Sequence, residues 1–139
     1  MANDPHWLVS YVEHTKRQES PEAYHIWTGI SILAATLGRK VWLARRAGGV
    51  TRYNIYPGQL MTILTAGSGL VRKSTAIAPA KKFLRSIKKP LISGKTSVEA
   101  FLKQMDQAAG GEPQAMLLES ELTSFLSKAT YLDPLVDVL

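Results

Sequence analysis

Apolar residues at Trp7, Leu8, Tyr11 and Val12 recur at helical spacing and predict a first helix over residues 7–16 with one buried stripe. A second helix is marked at both ends. Ser20 can cap it, Pro21 suits its first turn, Glu22 favours its positive end, and Gly38 stops it after Leu37. Between those signals Tyr24, Ile26, Trp27, Ile30, Ile32, Leu33, Ala34 and Leu37 are dense enough to bury most of the helix as core. Residues 41–46 and 52–56 are rich in β-formers and flank Ala47-Gly48-Gly49-Val50, which predicts a hairpin. After the Pro57-Gly58 break, Leu60 to Ala66 is an apolar run that reads as a buried strand.

A helix is expected over residues 76–87, with Ala76, Ile77, Ala80, Phe83, Leu84 and Ile87 on its apolar side and Pro79 costing it a backbone hydrogen bond or a kink. Leu91-Ile92-Ser93 reads as a short strand. Thr96-Ser97-Val98-Glu99 has the form of a capping box and opens a helix through Phe101, Leu102 and Met105, ended by Gly110-Gly111. Ala115 to Leu118 is a further apolar strand.

Between the strand at 60–66 and the helix that follows lies Gly67-Ser68-Gly69-Leu70-Val71-Arg72-Lys73-Ser74-Thr75. Strand, glycine loop, Lys-Ser and helix is the order a phosphate cradle requires. Loop and helix N–H groups point at the anion, Lys73 reaches the terminal phosphates, and the Ser74 hydroxyl sits on Mg²⁺. The pattern G-x-x-x-x-G-K-[ST] has glycine before its lysine, where this chain has Arg72. A Cβ there restricts positive φ and crowds the phosphates unless the loop takes another path, and Gly69 can supply part of the missing freedom. The bland alternative is a glycine turn leading into a basic helix with Lys73 solvated.

The strand at 115–118 runs into Glu119-Ser120-Glu121. An apolar strand ending in acidic residues is how P-loop enzymes place a carboxylate associated with Mg²⁺ and one that activates water. Either Glu119 takes the metal side through its longer arm or Ser120 stands in through water, with Glu121 as the candidate base. A strand end that happens to be acidic is the competing reading.

Composition narrows the classes. The 139 residues are 45% apolar, as for a globular core, and contain no cysteine, so neither a disulfide framework nor a thiolate metal site is available. Met1 to Pro5 is polar and the longest apolar stretch, near Ile30 to Leu37, is too short to span a bilayer. The expectation is a soluble cytoplasmic protein with no membrane partner. His6, His14 and His25 lack metal-ligand spacing and read as ordinary surface or interface histidines. The net charge of +6 favours polyanions. No acidic residue occurs from Arg72 to Val98. Arg39, Lys40, Arg45, Arg46 and Arg52 crowd the hairpin beside Trp42, Tyr53 and Tyr56, which suits a single-strand nucleic-acid surface. A solvated face with the aromatics packed beneath it is preferred, because nothing in the sequence settles which residues share a face.

The stretch from Ser20 to Leu126 resembles a family of ATPase domains in phage and mobile-element proteins, related to replicative primase-helicases and often described only as a domain of unknown function. The resemblance rests on Pro21 through Trp27, on Leu37-Gly38-Arg39-Lys40-Val41-Trp42-Leu43, on a proline shortly before the loop strand, on Arg-Lys-Ser-Thr-Ala, and on Glu121-Leu122 followed by Phe125-Leu126. It implies that Arg72 is a family trait, whereas Ser120 stands where an acidic residue is common. It further implies ATP binding, Mg²⁺-dependent hydrolysis, a helicase-like link to DNA replication on single-stranded or duplex DNA, and room for a homo-oligomer.

The expected fold is therefore α/β, a P-loop NTPase parallel sheet of the RecA-like kind, with an N-terminal helical segment over 1–38 and the core over 39–139, the hairpin included. A full core has about five parallel strands joined by long crossovers. Fewer are visible before Leu139, so an N-terminal fragment or truncated product is expected, with sensor and arginine-finger elements beyond it. The second reading is a non-catalytic nucleic-acid-binding or interaction module with a degenerate P-loop.

Overall fold

A computed structural model describes residues 6–67, 71–93, 98–107 and 114–119, which form an α/β arrangement of four helices and two small sheets. The chain divides into two compact units, Met1–Phe83 and Leu84–Leu139.

In the first unit α1 (Trp7–Thr15) packs on α2 (Glu22–Leu37). Gly29 makes their approach possible, since a Cβ there would lie 2.5 Å from Leu8 Cδ1 and 3.0 Å from Tyr11 Cδ1. His25, Thr28, Gly29 and Ile32 form the buried stripe of α2, at the i, i+3, i+4, i+7 spacing of one helix face. Apolar density predicts a helix buried over most of its surface. The close packing at Gly29 instead selects small and polar positions, and leaves Trp27 and Leu37 exposed. His25, expected as a surface or interface histidine, is fully buried, while His6 and His14 are exposed. The Trp7 ring stacks on Tyr11 at 5.3 Å and meets Phe83 of α3 (Lys73–Ser86) at the same distance, tilted. Burial pushes the Tyr11 phenol up to about 12.

Gly38 ends α2 with a φ of 52°, its N–H bonded to the Ala34 carbonyl. At the other end Pro21 occupies the cap position without a side-chain bond, so Ser20 does not cap α2. Its hydroxyl is committed elsewhere, as described below.

Strands β1 (Leu43–Ala47) and β2 (Val50–Ile55) pair antiparallel around Gly48-Gly49, whose φ values of 62° and 77° are those a two-residue primed turn demands. A bulge interrupts the register between Arg45 and Arg46. The hairpin aromatics are not packed beneath a solvated face, because Trp42 and Tyr53 are themselves exposed. A short 3₁₀ turn (Pro57–Gln59) then packs on α2.

Leu60 to Ala66 alternates between half-buried Thr62, Leu64 and Ala66 and exposed Met61, Ile63 and Thr65, as an extended chain does. It is not the buried strand expected, for none of its residues is buried and it pairs with no strand among the described residues. Side chains of α2 hold one edge instead. Tyr24 donates to the Thr65 carbonyl at 2.5 Å, and the Ser31 and Thr62 hydroxyls share a hydrogen bond of 2.9 Å.

Ala76, Ile77, Ala80 and Leu84 of α3 are buried as expected, whereas Ile87 lies just past the helix and is exposed. Pro79 sits inside α3 and denies it one N–H. In the second unit β3 (Leu91–Ile92) and β4 (Met116–Leu117) pair in parallel, with α4 (Val98–Gln107) on the connection between them. The Met116 N–H donates to the Pro90 carbonyl and the Leu118 N–H to that of Ile92, both at 3.0 Å. Ile92, buried, is the apolar centre of this pair. No helix among the described residues is long and apolar enough to cross a membrane.

Candidate functional site

The glycine loop is entered through Ala66 and Gly67 and left through Val71, Arg72 and Lys73. Ser68, Gly69 and Leu70 lie outside the described residues. Lys73 is the first residue of α3, half-buried, and its ammonium donates to the Ala66 carbonyl at 3.2 Å. This contact joins the two ends of the loop. A cation at a helix N-terminus faces the positive end of the helix dipole, and among the described residues no carboxylate pairs with Lys73. Among the described residues the Lys73 ammonium is thus met by a neutral carbonyl and not by a carboxylate. Ser74 follows, exposed, in the first turn of α3, and Thr75 is half-buried behind it.

Arg72 is held from two sides by consecutive residues of the α1–α2 connection. The Ser20 hydroxyl donates to the Arg72 carbonyl at 2.5 Å, and that carbonyl also accepts the Thr75 N–H at 3.1 Å. The Arg72 guanidinium meets Glu19 at 2.5 Å, with the two side chains 68% and 65% exposed. So exposed a pair contributes about 0–1 kcal/mol, and its importance is directional: it draws the guanidinium toward Glu19. Lys88 is the one non-glycine residue with positive φ among the described residues, so Arg72 has no left-handed backbone to relieve. The demand for glycine before the lysine does not arise on this path. Neither Glu19 nor Ser20 was marked as part of the site in the sequence, because an interaction across more than fifty residues leaves no local pattern.

His25 lies beneath the same connection. Burial lowers its pKa, opposed more weakly by the Ser20 backbone and the Glu22 carboxylate, and neither ring nitrogen reaches hydrogen-bonding geometry with a partner among the described residues. It is kept neutral.

The acidic residues belong to the second unit. Glu119 is half-buried and follows β4 by two residues, at the C-terminal end of the parallel pair. Ser120 and Glu121 lie outside the described residues. Among the described residues no three acidic or histidine side chains gather to hold a metal ion. A magnesium ion bound with a nucleotide needs no such cluster, since it takes one or two protein oxygens together with phosphate and water. Ser74 and Glu119 have the oxygen chemistry that ion prefers.

Comparison of the chain with family models, curated proteins and solved structures gave no match.

Proposed function

We propose that this chain is a nucleotide-binding P-loop domain of a Mg²⁺-dependent ATPase linked to DNA replication or unwinding, of the kind found in phage and mobile-element proteins. The observation that carries the reading is Lys73 at the head of α3, half-buried, joined to Ala66 across the glycine loop and without a carboxylate partner among the described residues. A terminal phosphate would replace a neutral carbonyl with an ionised acceptor, adding the attraction of opposite charges to the hydrogen bond that the lysine makes. The N–H groups of the first turn of α3 and the favourable end of its dipole would serve the same anion.

The second unit supports the reading independently. A parallel strand pair joined through a helix, with an acidic residue just past the C-terminal end of the second strand, is the local arrangement that such ATPases use to present carboxylates. In this reading Ser74 and Glu119 are each candidate Mg²⁺ ligands, and Glu121 would take the proton of the attacking water. Bound Mg²⁺ would neutralise charge on the terminal phosphate oxygens.

Equilibrium binding of a fluorescent ATP analogue, with and without Mg²⁺, tests the proposal. Saturable binding that Mg²⁺ strengthens, and that ATP and ADP displace far better than AMP, is expected. No binding in either condition, or displacement by AMP as good as by ATP, would overturn it.

A further inference from the structure

We propose that the arm formed by residues 39–57 binds single-stranded nucleic acid, with Trp42 and Tyr53 as stacking platforms for bases and Arg45 and Arg46 as phosphate contacts. The inference deepens the DNA link in the reading above and lies on different residues from the nucleotide site.

The arm leaves and returns at one point. A Cβ on Gly58 would stand 3.4 Å from the Gly38 Cα, so the two backbones touch where the arm begins and ends, and the Arg39 guanidinium lies over the Tyr56 ring at 5.3 Å just above that junction. Beyond it the register pairs Leu43 with Ile55 and Arg45 with Tyr53. Side chains two apart along a strand share a face, so these four form one surface, and Ala44 and Asn54 the other. Arg46, opposite Thr51 across the bulge, carries charge to the second side.

The large apolar side chains of this hairpin lie open. Trp42 is 57% and Tyr53 58% exposed, and Leu43, Val50 and Ile55 are exposed with them. An isolated two-stranded ribbon is marginal in water, and a contiguous exposed apolar set on one marks an interaction surface. Charge selects the partner. Between Glu22 and Glu99 the sequence contains no Asp or Glu but thirteen of its seventeen Lys and Arg residues, so no carboxylate on the arm competes for Arg45 or Arg46. An arm that carries both cationic side chains and exposed rings suits a ligand that is a polyanion and also offers flat apolar faces. Single-stranded nucleic acid has both, whereas a duplex hides its bases.

The test is fluorescence anisotropy of a labelled oligothymidylate titrated with the full chain at several salt concentrations. Binding should weaken with salt at a log–log slope of about −0.7 per phosphate neutralised. The double variant Arg45→Ala, Arg46→Ala should make that slope shallower by about 1.4. Trp42→Ala and Tyr53→Ala should each weaken affinity roughly fivefold to a hundredfold without changing the slope, and Tyr53→Phe should retain it. All arm variants should bind the ATP analogue as the parent does, so loss of oligonucleotide binding is separable from failure of the nucleotide reading. Absent binding at low salt would overturn the proposal, as would a slope unaffected by both arginines. So would duplex DNA bound as tightly with no effect of Trp42 or Tyr53, or variants that lose binding to phosphatidylserine vesicles while keeping the oligonucleotide.

Discussion

The Tyr24 hydroxyl donates to the Thr65 carbonyl at 2.5 Å, and this bond opens a ladder of contacts between α2 and the chain that leads into the glycine loop. Ser31 meets Thr62 farther along, so partners sit seven residues apart on the helix and three apart on the extended chain. Seven helical residues rise about 10.5 Å and three extended ones about 10 Å. The two repeats match, which lets one face of α2 hold the loop strand in place of a neighbouring strand.

Tyr24→Phe removes the bond nearest the loop and leaves the ring. Stability should fall by about 1 kcal/mol, read as a lower urea midpoint at constant slope. An unchanged midpoint would show that the tether carries no stability.

Gly29→Val drives a branched side chain into Leu8 and Tyr11. Overpacking of this kind costs about 1–3 kcal/mol, and thermal melting should register it. A variant as stable as the parent would mean that the Leu8 and Tyr11 side chains give way at no cost.

The buried, neutral His25 sets a pH dependence. Its folded pKa lies below the ordinary 6.5, so between the two values the unfolded chain binds more protons, and stability declines as pH falls through that window. His25→Met should flatten the decline, measured as melting temperature against pH. An identical profile in parent and variant would assign the dependence to other groups.

Glu121→Gln tests the proposed base. In a form of the protein that turns over ATP, binding should persist while kcat falls by about 10²–10⁴. Unchanged turnover would move that role to Glu119 or off this strand.

Signals confined to a few neighbouring residues were legible in the sequence. Gly38 stops α2, Gly48-Gly49 turns the hairpin, and the short apolar runs around Leu91 and Met116 are strands that pair. What was hidden depends on distant partners. Ser20 looks like a helix cap, which would accept from a backbone N–H, yet its hydroxyl donates to the Arg72 carbonyl, a partner that only the fold brings near. Apolar residues over 60–66 announce an extended segment but not whether another strand covers it, and Ile63 stands 59% exposed. His25 is buried because Gly29 lets α1 approach, a consequence of packing that helical periodicity cannot express.

Within the candidate site the sequence order singled out Lys73 and Ser74 as candidates, because the loop motif is local. The pairing of Glu19 with Arg72 was out of reach for the same reason as that of Ser20. If the loop holds phosphate as proposed, that pairing gives the arginine before the lysine an acidic partner outside the loop.

The most direct measurement is the equilibrium affinity for ATP, in Mg²⁺, of the parent and of Lys73→Ala side by side, with circular dichroism confirming the same fold. Losing a charge-assisted bond to phosphate should weaken binding at least about tenfold with no change in helix content. Equal affinity in the two proteins would contradict the assignment of Lys73 as the phosphate-binding lysine.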